Sequence, residues 1–305
     1  LIDVRRANAN FCGDHFVDFA RRQVGRTIED FEMLRPGERV LVAVSGGKDS
    51  LALWDLLLDL GYDAVGLYLG LGIGDYSDES GRYARAFAAS RGVDLREVDL
   101  RADHGYDVPT AAAATRRVPC SACGLSKRHL FDRAALDGGF EAVATGHNLD
   151  DEAAVLFGNT LRWDTEYLGR QLPKLPAGPG HPAKVKPLVR LGERETAAYC
   201  VIRGIDYQVE ECPMAAGNRH LRYKEALNTV EAASPGTKHA FYFNFLARAV
   251  KRFRVDTAAE LGTVERCGRC GGPTTGTICA FCRLVETASA AEPVRLTTKQ
   301  KGSTR

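Results

Sequence analysis

The six residues Ser45-Gly46-Gly47-Lys48-Asp49-Ser50 stand between a short apolar run at 39–44 and a helically spaced segment, Leu51, Leu53, Trp54, Leu57, Leu58 and Leu60. Glycines let a chain turn tightly and bring backbone N–H groups close to phosphate oxygens. The N-terminus of the following helix adds partial positive charge, and Lys48 adds a full one. The run is not a Walker A loop: Val42 stands where that pattern needs its first glycine, and Asp49 where it needs Ser or Thr. A plain glycine turn with a capping serine is the bland alternative. Six matched residues in a strand-to-helix context favour phosphate binding.

Cysteine is the second source of chemistry, with nine residues whose spacing sorts them. Cys120-Ser121-Ala122-Cys123 by itself fits a redox pair, half a zinc site or two buried thiols. Lys127 and Arg128 follow and make the segment polar, and Cys212 lies far downstream. Four thiolates close a metal cluster fully, whereas three leave one iron open to an exogenous sulfide. Cys267-x-x-Cys270 and Cys279-x-x-Cys282 are two paired knuckles eight residues apart, the composition of a structural zinc site. Zinc supplies stability that so short a segment cannot draw from a core. With four positions filled, that ion is structural. Cys200 lies in a helical apolar pattern and reads as a core residue.

These motifs need a scaffold. Strand candidates at 39–44, 64–69, 95–100 and 142–145 alternate with helical patterns at 51–60, 78–90, 124–136 and 150–160. Such alternation indicates βαβ units and a parallel α/β sheet with flanking helices. Ligands bind beyond the carboxyl ends of such strands, where the turns at 45–50, 70–76 and 146–151 fall. Residues 164–182, rich in Gly and Pro, read as a long loop. Helical patterns return at 193–203, 221–233 and 238–252. The expected division is an N-terminal segment (1–34), a catalytic domain (35–258), a zinc-binding domain (259–290) and a disordered basic tail (291–305).

Hydrophobic residues make up 45% and charged residues 26% of 305, the balance of a globular chain. The apolar stretches fall short of a membrane span, and the first twenty residues mix acids with arginines, unlike a secretory signal. The expectation is a cytoplasmic protein with no membrane association. A net charge of +2 leaves any nucleic-acid binding to local patches, at 116–117, 127–128, 184–186, 219–222 and 248–254.

The loop 45–50 resembles the signature of the PP-loop ATP pyrophosphatases. Longer runs sharpen the likeness: Cys120-Ser121-Ala122-Cys123-Gly124-Leu125-Ser126-Lys127-Arg128, Ala144-Thr145-Gly146-His147-Asn148-Leu149-Asp150-Asp151-Glu152, Leu156-Phe157-Gly158-Asn159, Glu211-Cys212-Pro213 and Tyr223-Lys224-Glu225-Ala226-Leu227-Asn228. They resemble the tRNA 2-thiouridine synthetases of the TtuA type, from Cys12 to Cys282.

The resemblance implies ATP cleaved between its α and β phosphates, with adenylation of a uridine O2 and replacement of that oxygen by sulfur. It assigns nucleotide binding to Ala43, Val44, Ser45, Gly46, Gly47, Ser50, Leu69 and Gly146, and catalysis to Lys48, Asp49, Lys127 and Asp151. Cys120, Cys123 and Cys212 inherit a 4Fe–4S cluster, and Mg2+ falls to Asp49 or Asp151. Asp150 and Asp151 fit helix capping as well, and His147 fits either nucleotide contact or a cap. The zinc module at Cys267, Cys270, Cys279 and Cys282 presents a surface to tRNA, and Arg116, Arg117 and Arg222 are candidates for its phosphates. Implied partners are tRNA, a ubiquitin-like thiocarboxylate carrier or free sulfide as sulfur donor, and a second copy in a homodimer. One departure stands out. Family members open with Cys-x-x-Cys and then Cys-x-x-His, but only Cys12-Gly13-Asp14-His15 is present, so Cys12 and His15 make half a zinc site.

T-loop ribothymidine is the leading target and the wobble uridine the alternative. A persulfide thiolase without a cluster, an ammonia-using PP-loop synthetase and a zinc-ribbon tRNA-binding module with a relict nucleotide fold are the other readings.

Overall fold

The computed structural model describes residues 1–215, 219–253 and 265–294. An antiparallel hairpin, β1 (Ile2–Val4) and β2 (Ala9–Phe11), leads into helix α1 (Gly13–Asp30). The apolar run forms β3 (Arg39–Val44), and the loop 45–50 delivers the chain into α2 (Lys48–Asp59). Then come β4 (Asp63–Gly70), α3 (Gly74–Arg91) and β5 (Leu95–Asp99). The turn expected over 70–76 is therefore shorter, because α3 already begins at Gly74.

Two helices not foreseen follow, α4 (Leu100–His104) and α5 (Val108–Thr115), capped by Asp99 and Asp107. Helix α6 (Pro119–Asp137) starts five residues before the expected 124. Pro119 occupies the first helical position, where a missing N–H costs nothing. Strand β6 (Ala142–Thr145) and α7 (Leu149–Arg162) match their expected spans closely. Asn148 caps α7 in a reciprocal box with Asp151.

Residues 164–182 are not one long loop. They hold α8 (Thr165–Gly169) and β7 (Lys174–Leu175), which pairs with β8 (Ala183–Val185). Helices α9 (Glu193–Arg203), α10 (Arg219–Ala233) and α11 (Thr237–Arg248) follow, and the helix expected to continue to 252 breaks at Ala249 before α12 (Val250–Phe253). The last described segment carries β9 (Glu265–Arg266), β10 (Pro273–Thr274) and α13 (Ala280–Ser289). The expected boundary at 258/259 and the tail beyond 294 lie outside the described residues. Val294 N–H donates to Thr110 Oγ1 at 3.0 Å.

The strand order is β5-β4-β3-β6-β8-β7, parallel except at β7. Along β3, Val40, Val42 and Val44 face one apolar layer while Leu41 faces the other. A strand apolar on both faces is what a sheet covered by helices on both sides demands. One layer joins α1, α2, α3 and α9 through Phe16, Trp54, Phe87 and Tyr199. Trp54 lies flat against Gly66, where a Cβ would stand 2.4 Å from the indole, and its N–H donates to Ala64 O at 2.9 Å. The other layer joins α5, α6 and α13 through Ala111, Leu130, Phe281 and Leu284. The chain runs outward from β3 through β4 to β5 on one side and through β6 to β8 on the other. The order reverses there, and a crevice opens beyond the ends of β3 and β6.

Candidate active site

The loop 45–50 sits at that crevice and is closed by its own serines. Ser45 N–H donates to Ser50 Oγ (3.0 Å), and the Ser50 hydroxyl donates to Gly47 O (3.0 Å). Gly46 has φ +76°, and a Cβ there would meet the Ser80 carbonyl oxygen at 2.2 Å. Only glycine lets the backbone pass so close. A glycine turn opening a helix N-terminus suits a phosphate chain.

Five charged side chains continue from it. Lys48 Nζ meets Glu193 Oε1 at 2.8 Å and Asp49 Oδ2 at 3.1 Å. Glu193, the first residue of α9, also takes Lys224 Nζ from α10 at 3.1 Å, and Lys224 reaches Asp151 Oδ1 at 2.7 Å. Asp49 Oδ1 accepts from Thr196 Oγ1 and from Asn148 Nδ2. Burial pushes the Asp49 carboxyl above the usual range, against the pull of Lys48. Burial works against the charge on Lys48 and on Lys224, but their carboxylates outweigh it and hold both above the ordinary lysine value. Sequence reasoning missed Glu193, Lys224, Thr196 and Asn148 as members of the site.

Ala43, Val44, Ser45, Ser50, Leu69 and Gly146 line one cleft of about 600 Å³, together with Asp49 and Lys127. Lys48 turns to Glu193, and Asp151 is held behind it by Lys224 and the α7 cap. His147 Nδ1 bonds Thr145 Oγ1 at 2.8 Å. Asp150 accepts the Glu193 N–H at 2.8 Å and pairs with Lys238, so its contacts tie α7 to α9 and α11. Cys200 is buried in the core as expected, its thiol donating to Lys48 O at 3.4 Å.

The early start of α6 puts Cys120 and Cys123 on a helix, with Lys127 one turn on. Positions spaced three and four apart share one face. Cys120 Sγ lies 3.9 Å from Met214 O, in the short turn that carries Cys212. Burial pushes the Cys212 thiol up against the Met214 N–H, and Cys123, Lys127 and Cys120 all lie within electrostatic reach of it. Lys127 also lies within reach of His147, so it stands between the thiols and the nucleotide loops. Each thiolate of a cubane cluster binds a different iron, and the fold brings Cys120 and Cys123 within electrostatic reach of Cys212, which suits such a group.

The tail cysteines are packed more tightly. Sγ atoms of Cys267, Cys270, Cys279 and Cys282 all lie within 4.8 Å of one another. Cys279 N–H donates to Cys267 Sγ (3.2 Å), Cys282 N–H to Cys279 Sγ (3.4 Å) and Gly272 N–H to Cys270 Sγ (3.4 Å). N–H groups aimed at Cys267 hold its thiol well below the usual range. Four sulfurs in one small shell, with donors stabilising thiolate, suit one tetrahedral ion. Cys12 Sγ and His15 Nδ1 stand 3.0 Å apart at the start of α1, and among the described residues no third Cys, His or carboxylate joins them. Arg116, at φ +54°, and Arg117 are exposed just before α6, and Arg222 is exposed on α10.

No family model matches the chain. It is 53% identical over 283 residues to the tRNA-5-methyluridine(54) 2-sulfurtransferase of Thermus thermophilus, covering 93% of this chain and 87% of that one. The chain belongs to the family of tRNA-5-methyluridine(54) 2-sulfurtransferases. Another enzyme of that name, from Pyrococcus horikoshii, is 43% identical over 90% of this chain and 86% of its own. In fold, the chain is similar to the U34-tRNA thiolase NcsA from Methanococcus maripaludis with its 4Fe–4S cluster. The TM-score is 0.74 at 23% identity, over 82% of this chain and 85% of that one. The expected family and the expected α/β fold both stand. No described helix is long and apolar enough to cross a membrane.

Proposed function

We propose that the protein replaces O2 of the ribothymidine in the tRNA T loop with sulfur, at the expense of ATP. One observation carries this reading: Lys127 lines the cleft that holds Ser45, Asp49 and Ser50, and it continues the α6 face that bears Cys120 and Cys123. That position of Lys127 supports a reaction in which nucleotide and thiol chemistry meet.

The N–H groups of the loop 45–50 take the phosphates of ATP, with the adenine along the backbone near Leu69. Uridine O2 attacks the α-phosphate and the bond to the β-phosphate breaks, releasing pyrophosphate. Negative charge gathered at the α-phosphate is met by Lys127 from one side and by Lys48 once it leaves Glu193. Sulfur then adds at C2, the C2–O2 bond breaks, and AMP departs with the oxygen. Asp49 or Asp151 would hold magnesium, which would neutralise phosphate charge. Cys120, Cys123 and Cys212 would hold a 4Fe–4S cluster, which would supply a binding position for sulfide. The tail quartet would hold zinc and present its surface to tRNA. Sulfur would come from a ubiquitin-like thiocarboxylate carrier or free sulfide, and the working form would be a homodimer.

The test is anaerobic incubation of the protein, reconstituted with iron and sulfide, with ATP, sulfide and ribothymidine-containing tRNA. Nucleoside mass spectrometry should find 2-thioribothymidine, with AMP formed in step. Sulfur found only at the wobble uridine would move the target. AMP formation without any thionucleoside would overturn the sulfur-transfer reading.

A further inference from the structure

Two carboxylates on different helices converge on one lysine. Asp151 lies in the first turn of α7 and Glu193 opens α9, and both reach Lys224 Nζ on α10, at 2.7 and 3.1 Å. Glu193 uses its other oxygen on Lys48 at 2.8 Å. Lys224 is little exposed, at 19% of its side chain. A cation so placed loses most of its hydration, and it remains charged because two carboxylates face it.

Lys224 is not required to dock α10. That helix already lies on α7 through Leu227 against Ala153 and Ala154, with Tyr223 and Phe157 beside them. Tyr223 comes so near that a Cβ on Gly158 would stand 2.6 Å from its ring. The apolar contact positions the helix, and the lysine serves what it faces.

We propose that Lys224 and Glu193 are positioning residues for ATP use: Lys224 fixes Asp151 and draws charge from Glu193, so that Glu193 holds Lys48 in the free enzyme yet releases it to phosphate. The proposal rests on the reading that Lys48 and Asp151 serve the ATP step. Without Lys224, Glu193 has Lys48 as its remaining lysine partner and holds it more tightly, so an incoming phosphate competes less well. Asp151 at the same time loses the ammonium group that fixes its Oδ1. Glu193 is thus a competitor of the nucleotide for Lys48, and Lys224 moderates the competition.

The experiment compares Lys224→Met, Lys224→Arg, Glu193→Gln and the double variant Glu193→Gln/Lys224→Met with the wild type. ATP affinity is measured by calorimetry without RNA, and thiolation kcat separately with tRNA. Glu193→Gln should bind ATP about tenfold tighter and Lys224→Met about tenfold weaker, the weight of one charge-assisted hydrogen bond. The double variant should regain wild-type ATP affinity or better while its kcat stays low, and Lys224→Arg should recover part of kcat. Iron content and melting temperature of each variant distinguish a positional change from a folding defect. Unchanged ATP affinity in both single variants that retain their fold would overturn the proposal. So would weaker ATP binding by Glu193→Gln, which would make Glu193 a nucleotide or metal contact. Since affinity is read without tRNA, a wild type that binds ATP but makes no thionucleoside would count against the uridine assignment alone.

Discussion

A Cβ on Gly146, at the end of β6, would stand 2.9 Å from the backbone carbonyl carbon of Asp49, at the start of α2. The neighbouring atoms are main chain, so nothing nearby can swing aside. The absence of one methyl group sets how closely β6 approaches the phosphate loop. Gly146→Ala should push the loop out of register and weaken ATP binding by about tenfold or more, the scale of an overpacking penalty. The chain should still fold, since the contact lies at the rim of the sheet. Calorimetric titration with a non-hydrolysable ATP analogue checks this, and an unchanged affinity would show that the loop can yield.

The cysteine trio should separate ATP binding from sulfur transfer. Single replacement of Cys120, Cys123 or Cys212 by alanine should abolish thiolation, a loss beyond the roughly hundredfold that follows when a residue merely orienting a metal ligand is removed. ATP affinity should stay near wild type, because the phosphate loop is built by β3 and α2. The wild type should carry about four irons per chain after anaerobic reconstitution. Full thiolation by all three variants would overturn the cluster role of these cysteines.

His129 predicts an acid-sensitive joint between α6 and the cysteine module. Its ring stacks on Phe281 of α13, with centroids 4.0 Å apart and planes 11° from parallel. Burial, helped by Arg133, lowers its pKa from 6.5 to about 4. As pH falls, the unfolded chain binds the proton first, so this contribution is full above 6.5 and is lost on descending to about 4. Melting temperatures should therefore fall more steeply over that window in the wild type than in His129→Phe. Parallel curves would mean that the ring is protonated equally in both states.

Removing metal from the tail should be felt beyond it, on α5 and α6. A chelator, or Cys279→Ser, should expose Phe281 and Leu284 and loosen the α5 and α6 surfaces they cover. Hydrogen exchange should rise in 108–137 as well as in 265–294. Exchange confined to 265–294 would make the module an independent appendage.

How much of this was legible in the sequence depended on the range of the interactions. Strands β3, β4 and β6 and helix α7 were readable because their apolar periodicity is local and each is bounded by glycine or a capping residue. The start of α6 was not, since Cys-Ser-Ala-Cys carries no apolar period and the helix is announced by Pro119 alone. Strands β7 and β8 are two and three residues long, too short to show any alternation. The charged chain was invisible for another reason. Lys48 and Glu193 stand 145 residues apart, and no local pattern marks either as the other's partner. The phosphate loop and both cysteine sets were legible because their chemistry is written in contiguous or regularly spaced residues.

The shared layer of α5, α6 and α13 has a consequence for how the chain is made. Leu130 emerges from the ribosome before Phe281 by roughly 150 residues, or about 10 to 30 s of synthesis at ordinary rates. Throughout that interval the surfaces of α5 and α6 that α13 covers in the finished fold stand open beside the thiols of α6. Ribosomal pauses near 265–294, or a shortage of metal for its sulfurs, would lengthen the exposure. How long the newborn chain carries that apolar surface is then set by how fast its cysteine knuckles close.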